Sequence, residues 1–229
     1  MRERPILFSG PMVRALFAGK KTQTRRVYRP RSPEPYELMG EDESGKPWPV
    51  WMDPNDGGDY LPVRCPYGEP GDRLWVREKW CPDLGHFGHS IAYAAEYEGG
   101  ERERPMSSSM PSHERQVWIE RWERKHGGWS AWSHAGKWSP GIYLPRWASR
   151  LTLEVEAVRV ERLMALTEAD AAAEGMDYSK CGHPDCGPTA HGRVGTFGKG
   201  WDALNGKRGF GWATNPWVWV VTFKRVGAA

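Results

Sequence analysis

The sequence predicts an α+β fold built on a small β-barrel, with short flanking helices and three long insertions. Three stretches carry that expectation. The chain opens with a strand and a short helix, "RPILFSGPMVRALFAGK". A long strand region, "RWASRLTLEVEAVRVERL", runs into a compact helix, "LTEADAAAEGM". The last ordered stretch, "NPWVWVVTFKRV", is apolar on both faces, as suits a buried barrel strand. A strand, a helix, and then several strands broken by one helix is an α+β order, and barrel closure removes exposed sheet edges.

Residues 4 to 8 read as the first strand. In the helix that follows, Ser9 or Gly10 caps the start, Pro11 suits the first helical position, and Gly19 ends it. Met12, Ala15 and Leu16 fall at helical spacing and give it one apolar face. "GEPGDRLWVREKW" is a Pro-Gly-Asp turn and then a strand with Leu74 and Val76 on one face. Inside a Gly-, Ser- and Trp-rich region, "HERQVWIERWERKH" reads as a loosely periodic helix. Leu151, Leu153 and Val155 line one face of the long strand region, and Thr167 and Gly175 bracket the compact helix. The core then covers residues 4–28, 66–80, 145–176 and 212–226 of a single domain, 1–229. The insertions are 29–65, 81–144 and 177–211, rich in Gly, Pro and polar residues.

Composition narrows the function classes. At 229 residues, 39% hydrophobic and 27% charged, the chain supports a packed core rather than disorder. The net charge of +3 is too small to mark a protein that coats DNA by charge alone. No apolar run approaches the roughly 18 residues of a membrane span, and the apolar part of "MRERPILFSG" is short for a signal peptide, so a cytoplasmic protein without membrane association is expected. The 14 tryptophans suit a core, and they also suit stacking on nucleobases.

The stretch "GKKTQTRR", residues 19 to 26, follows the first helix. Its cations can simply complement a helix C-terminus. Alternatively, Lys21 can act as a base on the hydroxyl of Thr24. That chemistry needs the lysine pKa brought down from about 10.4, which burial and neighbouring cations both do. A spacing of three residues puts Lys21 and Thr24 on one face only if residues 21 to 24 curl; on an extended strand they separate.

With the Leu-Thr-Glu helix and the closing strand, this stretch resembles the ASCH family, whose fold is a PUA-like β-barrel. The family signature, Gly-x-Lys-x-x-(Glu or Thr)-x-Arg, is matched by Gly19, Lys21, Thr24 and Arg26. The Thr form is similar to small N4-acetylcytidine amidohydrolases, and "PILFSGPMVRALFAGKKTQTRR", "PGDRLWVRE" and "PRWASRLTLEV" are similar to larger ASCH-like proteins of phages and prophages. The resemblance implies an amidohydrolase that removes an acyl group from a modified nucleobase or nucleoside. Thr24 would be the nucleophile, Lys21 the base, Glu174 the acid/base and Arg26 the pocket organiser, with no cofactor required. The small enzymes account for about 100 residues, and the insertions stand outside the match.

Further candidates for substrate binding are Trp75 and Arg77, whose ring and charge could hold a base and a phosphate, with Arg146 and Trp147 posing the same choice. Glu78 and Arg77 also read as a plain ion pair. Cys181, His183 and Cys186, with Cys81 and its nearby histidines, suggest a structural zinc within the insertions, although the four residues between Cys181 and Cys186 do not make the tightest zinc spacing. The rival readings are a non-catalytic RNA- or DNA-binding module using Arg115, Arg121, Arg124, Arg146 and the Trp-rich segment 118–147, and a phage accessory or assembly protein.

Overall fold

The structure, a computed structural model, describes residues 1–29, 37–43, 45–52, 60–83, 90–97, 117, 138–176 and 192–226. In chain order the strands are β1 (Glu3–Leu7), β2 (Gln23–Val27), β3 (Glu37–Glu41), β4 (Pro47–Met52), β5 (Tyr60–Pro62), β6 (Arg73–Arg77), β7 (Trp80–Asp83), β8 (Ser90–Tyr93), β9 (Thr152–Arg162) and β10 (Trp217–Val226). The α-helices used below are α1 (Gly10–Phe17), α2 (Ala94–Tyr97), α3 (Glu168–Ala173) and α4 (Arg193–Asn205). The expected α+β class is present, as a mixed five-stranded sheet in the order β1-β6-β9-β10-β2. The expected barrel is not closed among the described residues. The order has β1 and β2 as its ends, and α1 stands between these two strands in sequence where a hairpin would have paired them.

The chain divides into two units. The first is Met1–Ala18, Arg73–Glu154 and Arg225–Ala229; the second is Gly19–Asp72 and Val155–Lys224. In the first unit β1 runs parallel to β6, with Ile6 opposite Val76, and β6 pairs antiparallel with the start of β9, Leu74 opposite Leu153. All four of these side chains are buried. Helix α1 begins after an extended Ser9, takes Pro in its first turn, and buries Val13 and Leu16. Trp80, Tyr93, Leu144 and Ala148 form a further apolar cluster with Trp147 packed against it.

In the second unit the rest of β9 neighbours β10, and β10 pairs antiparallel with β2. Val218 and Val220 alternate on one face of β10 and pack with Leu163, Leu166, Ala171, Phe197 and Trp201, so α3 and α4 cover that face. On the other face, Trp219 is buried against the edges of Tyr28 and Trp48, with ring centroids 5.7 and 5.2 Å away. Strands β3, β4 and β5 form a small antiparallel sheet, and the Trp48 indole N–H donates to the Val63 carbonyl at 3.0 Å. The helix expected from "HERQVWIERWERKH" lies outside the described residues apart from Val117, which is helical.

Candidate functional site

The site is assembled in the second unit by the two ends of α3. At its start, Thr167 Oγ1 accepts from the Asp170 N–H at 3.1 Å, and the Asp170 carboxylate accepts from the Thr167 N–H at 3.1 Å: a capping box with Asp in the third helical position. At its end, Gly175 takes φ 84°, a left-handed conformation that glycine adopts without a Cβ penalty. The Gly175 N–H then donates to Ala172 O at 2.8 Å and the Met176 N–H to Ala171 O at 3.1 Å, closing the helix in a Schellman motif.

The carbonyls of Ala173 and Glu174 are met by the basic turn. The Thr22 N–H donates to Ala173 O at 2.8 Å and Lys21 Nζ to Glu174 O at 3.0 Å. Lys21 and Glu174 form an isolated β-bridge, and Nζ also donates to Glu174 Oε2 at 2.6 Å and to Gln23 O at 2.8 Å. Lys21 is 3% exposed and Glu174 2%. Three acceptors around Nζ satisfy all the donors of an ammonium group, so the resting pair is ionic in its hydrogen bonding. Burial nevertheless holds the Lys21 pKa below the ordinary lysine value; the Glu174 charge and hydrogen bond oppose this, and the Arg26 and Arg25 charges reinforce it.

Around this pair lies a wider ion network. Buried Arg25 donates to Glu161 Oε1 at 2.6 Å and lies 3.4 Å from both Asp170 Oδ2 and Glu174 Oε1. Arg159 donates to Glu161 Oε2 at 2.9 Å and to Asp170 Oδ1 at 3.0 Å, and Gln23 Nε2 donates to Asp170 Oδ1 at 3.1 Å. The cations Lys21, Arg25 and Arg159 thus face the carboxylates Glu161, Asp170 and Glu174 in equal number. Burial raises the Asp170 pKa, but hydrogen bonds from Thr167 and Gln23 and the Arg25 charge outweigh it and hold the carboxyl well below its usual range.

The curl that would put Lys21 and Thr24 on one face is absent: Gln23–Val27 is a strand, fixed in register by Thr222 opposite Gln23 and Val221 opposite Thr24. Pairing to β10 satisfies these backbone groups better than an isolated helical turn would. Gln23 and Arg25 therefore share the face toward α3, while Thr24 and Arg26 alternate to the other face. Thr24 is buried there, and Arg26 stands opposite Trp219. Arg26 interacts electrostatically with Glu174 and with Tyr67, and burial pushes its pKa down.

Arg26 and Trp219 line a cavity of about 390 Å³, with Arg29, Arg64, Tyr67 and Arg208 among its other walls. Arg29, Arg64 and Arg208 are exposed and Tyr67 is half-buried. Burial raises the Tyr67 phenol pKa, against the pull of Arg26. Cavities of this scale are typical of small-ligand sites.

The structure brings together Lys21, Glu174 and Arg26. The other predicted binding residues belong to the first unit. Arg77 stacks on Trp75 at 4.5 Å, and Arg146 pairs with Glu3 at 2.8 Å. Glu78, 1% exposed, binds Arg150 through both oxygens at 2.8 and 2.9 Å, so its partner is Arg150 rather than Arg77. Trp147 packs on the Trp80 cluster. Cys181, His183 and Cys186, proposed as metal ligands, lie outside the described residues, and the backbone of Cys81 is in β7. Among the described residues no group of three or more His, Cys, Asp or Glu is placed to hold a metal ion. No described helix is long and apolar enough to cross a membrane.

Sequence reasoning missed Arg25, Glu161, Asp170 and Arg159, and the cavity residues Arg29, Arg64, Tyr67, Arg208 and Trp219. For the first group a signal was present: charged or polar residues alternate at 23 and 25 and again at 159 and 161, inside otherwise strand-like stretches. No family model matches this chain, nor does any curated protein or solved structure.

Proposed function

We propose that this protein hydrolyses an acyl amide on a modified nucleobase or nucleoside, of the N4-acetylcytidine type, on a PUA-like core of the ASCH kind. The observation that supports this best is the buried Lys21–Glu174 pair, 2.6 Å between Nζ and Oε2, electrostatically coupled to Arg26 on the wall of the cavity. A proton can pass along such a short hydrogen bond. Burial holds the Lys21 pKa below the ordinary lysine value, so Lys21 can rest as the ammonium and react as the amine.

In this reading neutral Lys21, which lies outside the strand and whose Nζ reaches the Gln23 carbonyl next to Thr24 without any curl, takes the hydroxyl proton of Thr24 as its oxygen attacks the acyl carbon. The tetrahedral intermediate collapses with cleavage of the C–N bond, and Glu174 supplies the proton that the leaving cytosine nitrogen takes up. Water, deprotonated by the same pair, then attacks the acyl-threonine ester and releases the carboxylic acid with Thr24 restored. Arg26 organises the pocket and offsets charge on the developing oxyanion. No cofactor is required for these steps.

The test is a mass-spectrometric screen of acylated nucleosides with wild-type protein and the Lys21→Arg variant. Loss of acetyl from N4-acetylcytidine by the wild type, and its loss of rate in Lys21→Arg, is the expected result. An absence of turnover on every acylated nucleoside, joined to salt-dependent affinity for oligonucleotides, would favour a non-catalytic nucleic-acid-binding module, a reading that the arginines of the cavity also suit.

A further inference from the structure

The wall of the cavity is more basic than amide hydrolysis of a neutral nucleoside demands. Arg26, Arg29, Arg64 and Arg208 line it, and the described lining contains no carboxylate. This contrasts with the ion network toward α3, where three carboxylates answer three cations. The four guanidinium groups come from three separate places in the chain. Arg26 is in β2, Arg29 lies just beyond it, Arg64 follows β5, and Arg208 closes the turn after α4. A solvated charge stripe would come from one face of one element. Convergence from three segments places like charges about a single concavity, which is unfavourable unless an anion enters.

Three aromatic side chains, Tyr28, Tyr67 and Trp219, share the same lining, and Tyr28 is buried with its ring against Trp219. Trp219 is already packed edge-on by Tyr28 and Trp48, which leaves half-buried Tyr67 as the ring available to a planar ligand. Arg29 is itself held over the Phe210 ring at 5.2 Å, so that part of the rim is positioned rather than free to sweep. Guanidinium forks match phosphate oxygens, and more than one of them suits a dianion better than a single carboxylate. The four guanidinium groups line one cavity of about 390 Å³, a volume that fits a mononucleotide.

We infer that this cavity binds the phosphate of a nucleoside 5′-monophosphate through Arg26, Arg29, Arg64 and Arg208, with its base against Tyr67. The base being an acylated cytosine rests on the hydrolase reading; the phosphate recognition rests on the cavity alone. The substrate class is thereby the phosphorylated nucleotide, not the free nucleoside.

Isothermal titration of the full chain with cytidine 5′-monophosphate, cytidine and inorganic phosphate tests this. Charge-assisted hydrogen bonds to the phosphate predict that the monophosphate binds roughly tenfold or more tighter than cytidine, with inorganic phosphate competing. Arg64→Ala combined with Arg208→Ala, both exposed positions whose folding is checked by the melting curve, should abolish the difference between monophosphate and nucleoside. Equal binding of the two, no binding of either, or a preference retained in the double variant would overturn the inference. So would tighter binding of a cytidine decamer lacking a terminal phosphate. Parallel assays of N4-acetylcytidine and its 5′-monophosphate separate the two readings. Equal hydrolysis of both sinks the phosphate inference and keeps the hydrolase; monophosphate binding without hydrolysis of either does the reverse.

Discussion

Each unit of this protein buries a glutamate against a cation, and the two pairs are built for different ends. In the first unit Arg150 grips Glu78 with two parallel hydrogen bonds, its guanidinium lying over the rings of Phe17 at 4.6 Å and Tyr93 at 4.2 Å. Arginine does not release its proton in a protein, so this pair has one protonation state and acts as a fixed strut. In the second unit Lys21 meets Glu174 through one oxygen, with two backbone carbonyls completing the shell. An ammonium can lose its proton, and burial already biases Lys21 toward doing so. The same geometry class gives a strut when the cation is arginine and a pair whose cation can be neutralised when it is lysine.

The sharpest break of this contrast is to put arginine in the second pair. Lys21→Arg keeps the charge and removes the base, so amide hydrolysis should fall by about 10²–10⁴-fold, the usual worth of general acid–base catalysis. A folded variant with near wild-type kcat would remove Lys21 from the chemistry. Thr24→Ser should keep part of the rate and Thr24→Ala almost none, read in the same assay.

Next in size is the loss of either carboxylate. Glu78→Ala strands a guanidinium that cannot neutralise, and about 3–5 kcal/mol of stability should go with it. Glu174→Ala should cost a similar amount near neutral pH, but its penalty should shrink as pH rises and Lys21 sheds its proton. Urea titrations at several pH values check this. Penalties that track each other across pH would erase the distinction between the pairs.

A smaller effect comes from Asp170, whose pKa is depressed in the folded chain below its ordinary 3.8. The unfolded chain then takes up its proton first as pH falls. The stability contributed by Asp170 is complete above 3.8 and is lost progressively below it, toward the folded-state value. Asp170→Asn should flatten that acid limb in urea midpoints; an unchanged limb would assign it elsewhere. The smallest effect expected is at the cap. Thr167→Ala should lower stability by about 1 kcal/mol by removing the α3 N-cap oxygen, measured as a shift in urea midpoint with no change in slope.

How much of this was legible in the sequence follows from how local each signal is. The opening strand and helix, the long β9 region, α3 with its Thr167 cap and Gly175 stop, and β10 all have short-range punctuation and could be read directly. Helix α4 could not, because "RVGTFGKGWDALN" carries three interior glycines that argue against a helix. It forms because Phe197 and Trp201, one turn apart, bury against β10. Glu174 was legible only by resemblance. Nothing in "AAAEGM" distinguishes a buried acid from an exposed one. The sequence leaves residues 21 to 24 open between a curl and a strand, because the partner that makes Gln23–Val27 a strand, β10, lies almost 200 residues away. The cavity arginines were invisible for the same reason: they converge only in three dimensions.

The bridge between Lys21 and Glu174 spans 153 positions of sequence. No fragment short of both ends of that loop can make it, and closing so long a loop demands that other contacts form first. The basic turn and the acid on α3 are therefore a late event in the assembly of the second unit. On the hydrolase reading, return of activity in a refolding experiment should lag the return of helical signal.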